Sequence, residues 1–303
     1  MIDAVSRWPR SMDLTDGLLK AMVPVVLIIG LGVLVLIYSG QAASVIAPAD
    51  MPVGPEYAFG GMVVVFIVFA VGINRVRMSR RTDAWKTVGD AVGLRPTGDA
   101  GEGPYASLEG TVAGRRVMAR IDRRKVASGG DEGGTTRVDF TIVETEVPRS
   151  VDGGLLAGSE DSEVDASIGT LDLSLLLEEI DVAPELTGTT ADGLTVAGRP
   201  PAAVEAVATG PAGGAIRSLP AVELVTAGDA AGVVTAFAEP YNDQLEGRGS
   251  SLVELPIENL VERLPGDETA VTIESKGLVT DEATLERHAE VVVAIAEVLE
   301  GDR

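Results

Sequence analysis

Residues 106–123, "ASLEGTVAGRRVMARIDR", decide the fold class. Two runs of strand character, 106–112 and 115–123, meet at Ala113-Gly114. Glycine there supplies the backbone freedom that a tight hairpin turn needs, so the stretch predicts two antiparallel strands. Residues 137–147, "RVDFTIVETEV", alternate in the same way and place Val138, Phe140 and Ile142 on one face. The Gly-rich polar segment 125–136, "KVASGGDEGGTT", reads as the hairpin tip between these strands.

Helical signals lie on either side. In 81–94, "RTDAWKTVGDAVGL", Thr82 is placed as an N-cap, Trp85, Val88 and Val92 recur at helical spacing, and Gly93 fits the position just past the last turn. Near the other end, 270–277, "AVTIESKG", reads as a strand ending in a turn. Thr280 or Asp281 then caps a helix over 282–299 whose apolar stripe is Leu285, Ala289, Val292, Ala296 and Leu299. Residues 150–170 have loop composition and are expected to cross the surface, and 250–264 read as partly helical. The apolar pieces at 173–180, 203–209, 221–227 and 233–245 fit short helices and strands equally well. The pattern is α+β: an antiparallel-sheet domain with flanking helices. "TVAGR" occurs at 111–115 and again at 195–199, where it runs into Pro200-Pro201 and departs from a strand reading. Without longer self-similarity, a five-residue identity in an Ala/Val/Gly-rich chain does not establish a repeat.

Ahead of this domain stand two uncharged apolar runs, 21–38 and 57–73, each long enough for a membrane-spanning helix. Tyr38 and Tyr57 fall at one expected interface. The first run exceeds the apolar core of a cleavable signal peptide and follows about twenty residues. Basic residues sort around these runs. Arg7, Arg10 and Lys20 precede the first, and Arg75, Arg77, Arg80 and Arg81 follow the second. The connection 39–56 has no lysine or arginine and carries Asp50 and Glu56. Retention of positive charge on the cytoplasmic side predicts a multi-pass protein of the cell membrane with both termini cytoplasmic. The expected organisation is a cytoplasmic segment 1–20, spans at 21–38 and 57–73, a short extracellular loop 39–56, a basic juxtamembrane segment 74–81 that contacts lipid headgroups, and an acidic cytoplasmic α+β domain 82–303.

The full chain holds 46 acidic and 24 basic residues, only four of them lysine, with no cysteine. Residues 1–81 contain 7 basic and 5 acidic side chains, which leaves 17 and 41 for residues 82–303. Such an excess of carboxylate over lysine suits multimolar salt, where the Debye length falls to about 3 Å or less and acidic self-repulsion is screened. The composition resembles that of salt-in haloarchaeal proteins. The layout of two spans, a Trp-bearing helix ending in "GL", a "G…GRRV" hairpin and a late strand–helix resembles uncharacterised two-span membrane proteins of prokaryotes, haloarchaeal ones by composition, with a C-terminal soluble domain.

The chemistry on offer is sparse. The absence of cysteine excludes disulfides and thiolate metal sites. His288, the one histidine, falls on or beside the stripe of the last helix and reads as a packing residue. The acidic clusters 160–165 and 178–181 lack calcium-loop spacing and read as solvated surface, although Glu178 and Asp181 would share one face of a helix. No phosphate-binding loop, nucleophile elbow or zinc-protease helix is present. One feature departs from the background: Arg115, Arg116, Arg120, Arg123, Arg124 and Lys125 lie within eleven residues. On a strand Arg116, Arg120 and Arg124 share a face with Met118, a possible contact strip for lipid phosphates or an acidic partner near the bilayer. The competing reading is cross-strand pairing with Asp139, Glu144 or Glu146.

No catalytic, cofactor-binding or metal-binding residue and no cofactor is assigned. The expected function is a non-enzymatic membrane-anchored scaffold or regulatory interaction domain, with the lipid bilayer and a protein as partners. The alternatives are a membrane-tethered domain that binds a small molecule or cation and, third, an enzyme without a recognisable motif. Nucleic acid is disfavoured by the charge of the domain. The acidity carries its own expectation: the thermal midpoint of the full chain should rise steeply between dilute buffer and concentrated potassium chloride. Equal midpoints would remove the salt-adapted reading.

Overall fold

The computed structural model describes residues 55–97, 105–127, 135–147, 153–159, 167–168, 171–220, 222–247, 261, 264 and 269–301, with side chains of the first helix from residue 70 onward. The expected first span, residues 128–134 of the Gly-rich segment, the 160–165 cluster and nearly all of 250–264 lie outside these residues; 125–127 and 135–136, expected within the tip, are instead paired strand residues. The chain divides into two units, Met1–Met78 and Ser79–Arg303.

Helix α1 (Pro55–Ala91) contains the 57–73 run within its backbone. Among the described residues no helix is long and apolar enough to cross a membrane. Val71 and Val76 of α1 stand 60% and 54% exposed beside the arginines. Thr82 lies inside α1 and so does not cap it; the continuous helix supplies its backbone neighbours on both sides. The C-terminal signal is realised as expected. Gly93 takes φ +79°, and the Leu94 N–H reaches back to the Gly89 carbonyl at 2.8 Å.

The second unit is built on a nine-stranded antiparallel sheet with flanking helices. Its strands are β1 (Arg95–Pro96), β2 (Leu108–Val112), β3 (Arg115–Ala127), β4 (Thr135–Glu146), β5 (Gly154–Ser159), β8 (Thr187–Ala191), β9 (Leu194–Arg199), β10 (Val222–Gly228) and β11 (Ala270–Lys276). A separate two-stranded ribbon pairs β6 (Ser167–Ile168) with β7 (Leu171–Asp172). The sheet order is β1-β2-β3-β4-β11-β10-β5-β9-β8. Read outward from the central β10–β11 pair, each side presents a flanking strand and then a hairpin. Both hairpins turn over two residues with positive φ, Ala113 (49°) and Gly114 (82°) in one, Asp192 (50°) and Gly193 (77°) in the other. That geometry matches the right-handed twist of the strands.

The helices sort onto the two sides of the sheet. The first side packs α3 (Pro201–Thr209), α4 (Pro211–Ser218) and α6 (Glu282–Gly301). The expected stripe of α6 is buried throughout, from Leu285 to Leu299. Asp281 supplies the cap, accepting the Thr284 N–H at 2.8 Å. Trp85 is fully buried and donates its indole N–H to the Ala106 carbonyl at 2.9 Å. On the second side α2 (Leu173–Glu178), a 3-10 turn (Ile180–Val182) and α5 (Ala230–Gly247) cover β5 and β9. Leu176, Val233, Val234 and Phe237 close a core there over Leu156, Ala197 and Leu224.

Two expectations are corrected. The segment 150–170 holds β5, whose Leu155, Leu156 and Ala157 are buried between β9 and β10. Short apolar residues among glycines look like a loop, yet a strand paired on both sides needs no alternation. The second "TVAGR" is strand up to Arg199, because Pro200 and Pro201 follow the strand and open α3. The two copies are not equivalent in space. The first spans a hairpin turn, and the second lies within β9.

Candidate functional site: an arginine lattice on the sheet

Strand periodicity places Arg116, Met118, Arg120, Asp122 and Arg124 of β3 on the second side of the sheet. The register brings Glu144 opposite Met118 and Ile142 opposite Arg120 from β4, and Glu109 opposite Met118 from β2. Glu274 of β11 faces the same side, opposite Ile142. The expected strip therefore exists as a row, and each of its arginines is ion-paired. Arg116 donates to Glu109 at 2.7 Å and to Glu146 at 3.2 Å. Arg120 donates to Glu144 at 3.4 Å. Arg124 donates to Asp122 at 2.7 Å and to Glu274 at 2.6 Å, and its guanidinium lies 5.1 Å from the centre of the Phe140 ring.

Three guanidinium groups thus contact five carboxylates, in a lattice graded from wet to dry. The Arg116 side chain is 57% exposed, that of Arg124 34%, and that of Glu274 10%. At the wet end the Arg116 hydrogen bond holds the Glu109 carboxyl below its ordinary range, and the same contact raises Arg116. At the dry end burial pulls the Arg124 guanidinium down, but the Glu274 charge and its hydrogen bond, with Asp122, outweigh it.

The other cations of the cluster turn to the first side. Arg115 makes a two-pronged contact with Glu300 at the end of α6. That hydrogen bond, ahead of the opposing effect of burial, raises the Arg115 guanidinium. Arg123 grips Asp139 at 2.6 and 3.2 Å, and Arg81 approaches the same carboxylate at 3.8 Å. The pairs Arg116–Glu146, Arg120–Glu144 and Arg123–Asp139 are those of the competing cross-strand reading. Asp122 lies two residues from Arg124 on the same strand and was open to strand periodicity, whereas Glu109, Glu274 and Glu300 become neighbours only through strand register or helix docking. Arg75, Arg77 and Arg80 lie on α1, and the Lys125 side chain is outside the described residues.

His288 is fully buried between α6 and β11. Its Nδ1 lies 2.7 Å from the Thr284 carbonyl and its Nε2 2.7 Å from Ser275 Oγ. A carbonyl only accepts, so Nδ1 carries the hydrogen and Nε2 accepts from the serine hydroxyl. Burial pushes the imidazole below its ordinary 6.5, against the opposing hydrogen bond to Thr284. Ser275 is itself buried, so this hydroxyl–imidazole contact meets no solvent. Glu178 ends α2 and Asp181 lies in the following 3-10 turn, so the two do not share a helical face. Among the described residues no cluster of three metal-ligating side chains occurs.

Comparison with protein-family profiles, with curated proteins and with solved structures found no match.

The gradient across the lattice has a measurable consequence. Arg116→Ala should leave the thermal midpoint almost unchanged, because exposed pairs contribute little. Arg124→Ala strands the nearly buried Glu274 carboxylate and should cost about 1–2 kcal/mol. Equal effects of the two substitutions in thermal melts would show that burial does not set the strength of the lattice.

Proposed function

We propose that the protein is an integral membrane protein of two spans whose acidic α+β domain acts in the cytoplasm as a non-enzymatic scaffold or regulatory interaction module. The observation that carries the reading is the sorting of charge around the apolar runs: seven basic residues flank 21–38 and 57–73 on one side, and none lies in the 39–56 connection. The exposed Val71 and Val76, set among arginines on α1, agree with a helix leaving a lipid environment. The sealed state of the Ser275–His288 contact supports a structural role for the one imidazole. The wet end of the lattice, Arg116 with Glu109 and Glu146, is the surface we assign to a protein partner. Its charges alternate in sign, and such a pattern selects partners by register more than by net attraction.

Reporter fusions test the membrane reading. A reporter at Arg303 should be active in the cytoplasm, and one inserted within 39–56 only outside the cell. An Arg303 reporter active only outside overturns the topology. For the surface, Arg116→Ala in the full chain should keep the thermal midpoint and reduce cross-linking to membrane partners. Unchanged cross-linking with an intact fold would remove the lattice as an interaction surface.

A further inference from the structure

We propose that the Ser275–His288 contact is a proton-operated latch, which holds the first turns of α6 against β11 and releases them as pH falls below neutral. The inference is independent of the membrane reading. Its basis is the arrangement of donors and acceptors at one corner of the fold. Thr141 of β4 stands opposite Ser275 in the β4–β11 register. Its hydroxyl donates to the Gly277 carbonyl at 2.7 Å and accepts the Val279 N–H at 3.0 Å. Asp281 then caps α6 through the N–H and hydroxyl of Thr284. The carbonyl of that same Thr284 receives the His288 Nδ1–H, and Ser275 closes the circuit by donating to Nε2. The passage from strand to helix is thus held by a short chain of side-chain bonds that ends on one neutral ring.

A proton on Nε2 turns that acceptor into a donor facing the serine hydroxyl. It also buries a cation where the packed surfaces are uncharged. From β11 the ring's side carries Val271, Ile273 and Ser275, and from β4 Thr141, Val143 and Thr145. The charged groups on this side are engaged elsewhere. Asp139 of β4 binds Arg123 of β3 and Arg81. Arg115 of β3 binds Glu300, and Arg217 of α4 binds the Ala191 and Ala208 carbonyls. From β2 and α3 the buried residues are Leu108, Ala203, Val204, Val207 and Ala208. On α6 itself Glu286, Arg287 and Glu290 point to solvent. Asp281 is held by Thr284, and among the described residues no carboxylate pairs with the ring, so protonation favours the opened corner. Beyond His288 the buried stripe from Ala289 to Leu299 keeps the rest of α6 docked.

The chain has one histidine and no cysteine, so between about pH 5.5 and 7 this ring is the side chain that titrates. A lowered folded value means that the contribution is complete above 6.5 and is lost as pH falls below it. Amide exchange on the full chain in concentrated potassium chloride, corrected for intrinsic rates, should show opening over 282–288 about tenfold more frequent at about pH 5.5 than at about pH 7.5. Protection of β4 and β11 should change little. His288→Gln should abolish the pH response. The single imidazole resonance of the unaltered protein gives a second measure, which stands even if the variant fails to fold: in the closed state the neutral ring should carry its proton on Nδ1 and should titrate below its ordinary 6.5. A ring that titrates near 6.5 with α6 still protected would overturn the latch, as would opening of α6 only together with β4 and β11.

Discussion

The pairing of β10 with β11 holds the second unit together. Val225 opposite Ile273 and Ala227 opposite Val271 join two half-sheets, one of which is inserted in sequence between the two parts of the other. One half is β2 to β4 with β11, and the other is β5, β8 and β9 with β10. The second half comes from one continuous stretch, 154–228, but the first cannot, because β11 closes against β4 only after more than a hundred intervening residues. Such pairing carries the loop-closure entropy of a long-range contact and is rewarded only once both halves are present. Short apolar strands, Val222–Gly228 and Ala270–Lys276, sit at this centre, buried on both faces.

A sheet of this width must cover two sides. Among the described residues the first side is closed by α3, α4 and α6, and the second by α2, the 3-10 turn and α5 over β5 and β9. Over β2 to β4 the second side carries arginine and glutamate instead. The Arg124 guanidinium lies over the Phe140 ring while it pairs with Asp122 and Glu274, so part of the apolar surface is covered by paired charge. In a domain with 41 acids and 17 bases, nearly every cation near the sheet meets a carboxylate by chance of numbers. What distinguishes the lattice is its bonding: several pairs have hydrogen-bond geometry below 2.8 Å. Contact pairs of that kind persist when salt screens the longer-range field.

The helix-to-strand corner at β11 and α6 differs in character. There the bonds run inward from the exposed Asp281 cap to the buried contact of Ser275 with His288, and the one titrating group of the neutral range is enclosed at their inner end. Charge is thus arranged in two ways in one unit: many permanent charges paired on an open face, and one conditional charge withheld inside.

By itself the sequence determined what depends on local period and turn chemistry. The hairpin at Ala113-Gly114, the Gly93 stop, the α6 stripe and the alternation that aligns Arg116, Arg120 and Arg124 were all legible, because each is set by residues a few positions apart. The α+β class followed from these elements. Tertiary structure decided what depends on a distant partner. It made Leu155–Ala157 a central strand rather than a loop, since burial between β9 and β10 outweighs a weak local preference for strand. It placed the run at 222–227 in β10 and that at 233–245 in α5, a choice that apolar composition had left open. It also chose the partners of the arginines, because whether Arg124 meets Asp139 or Glu274 rests on strand register and side, and register is a property of the assembled sheet.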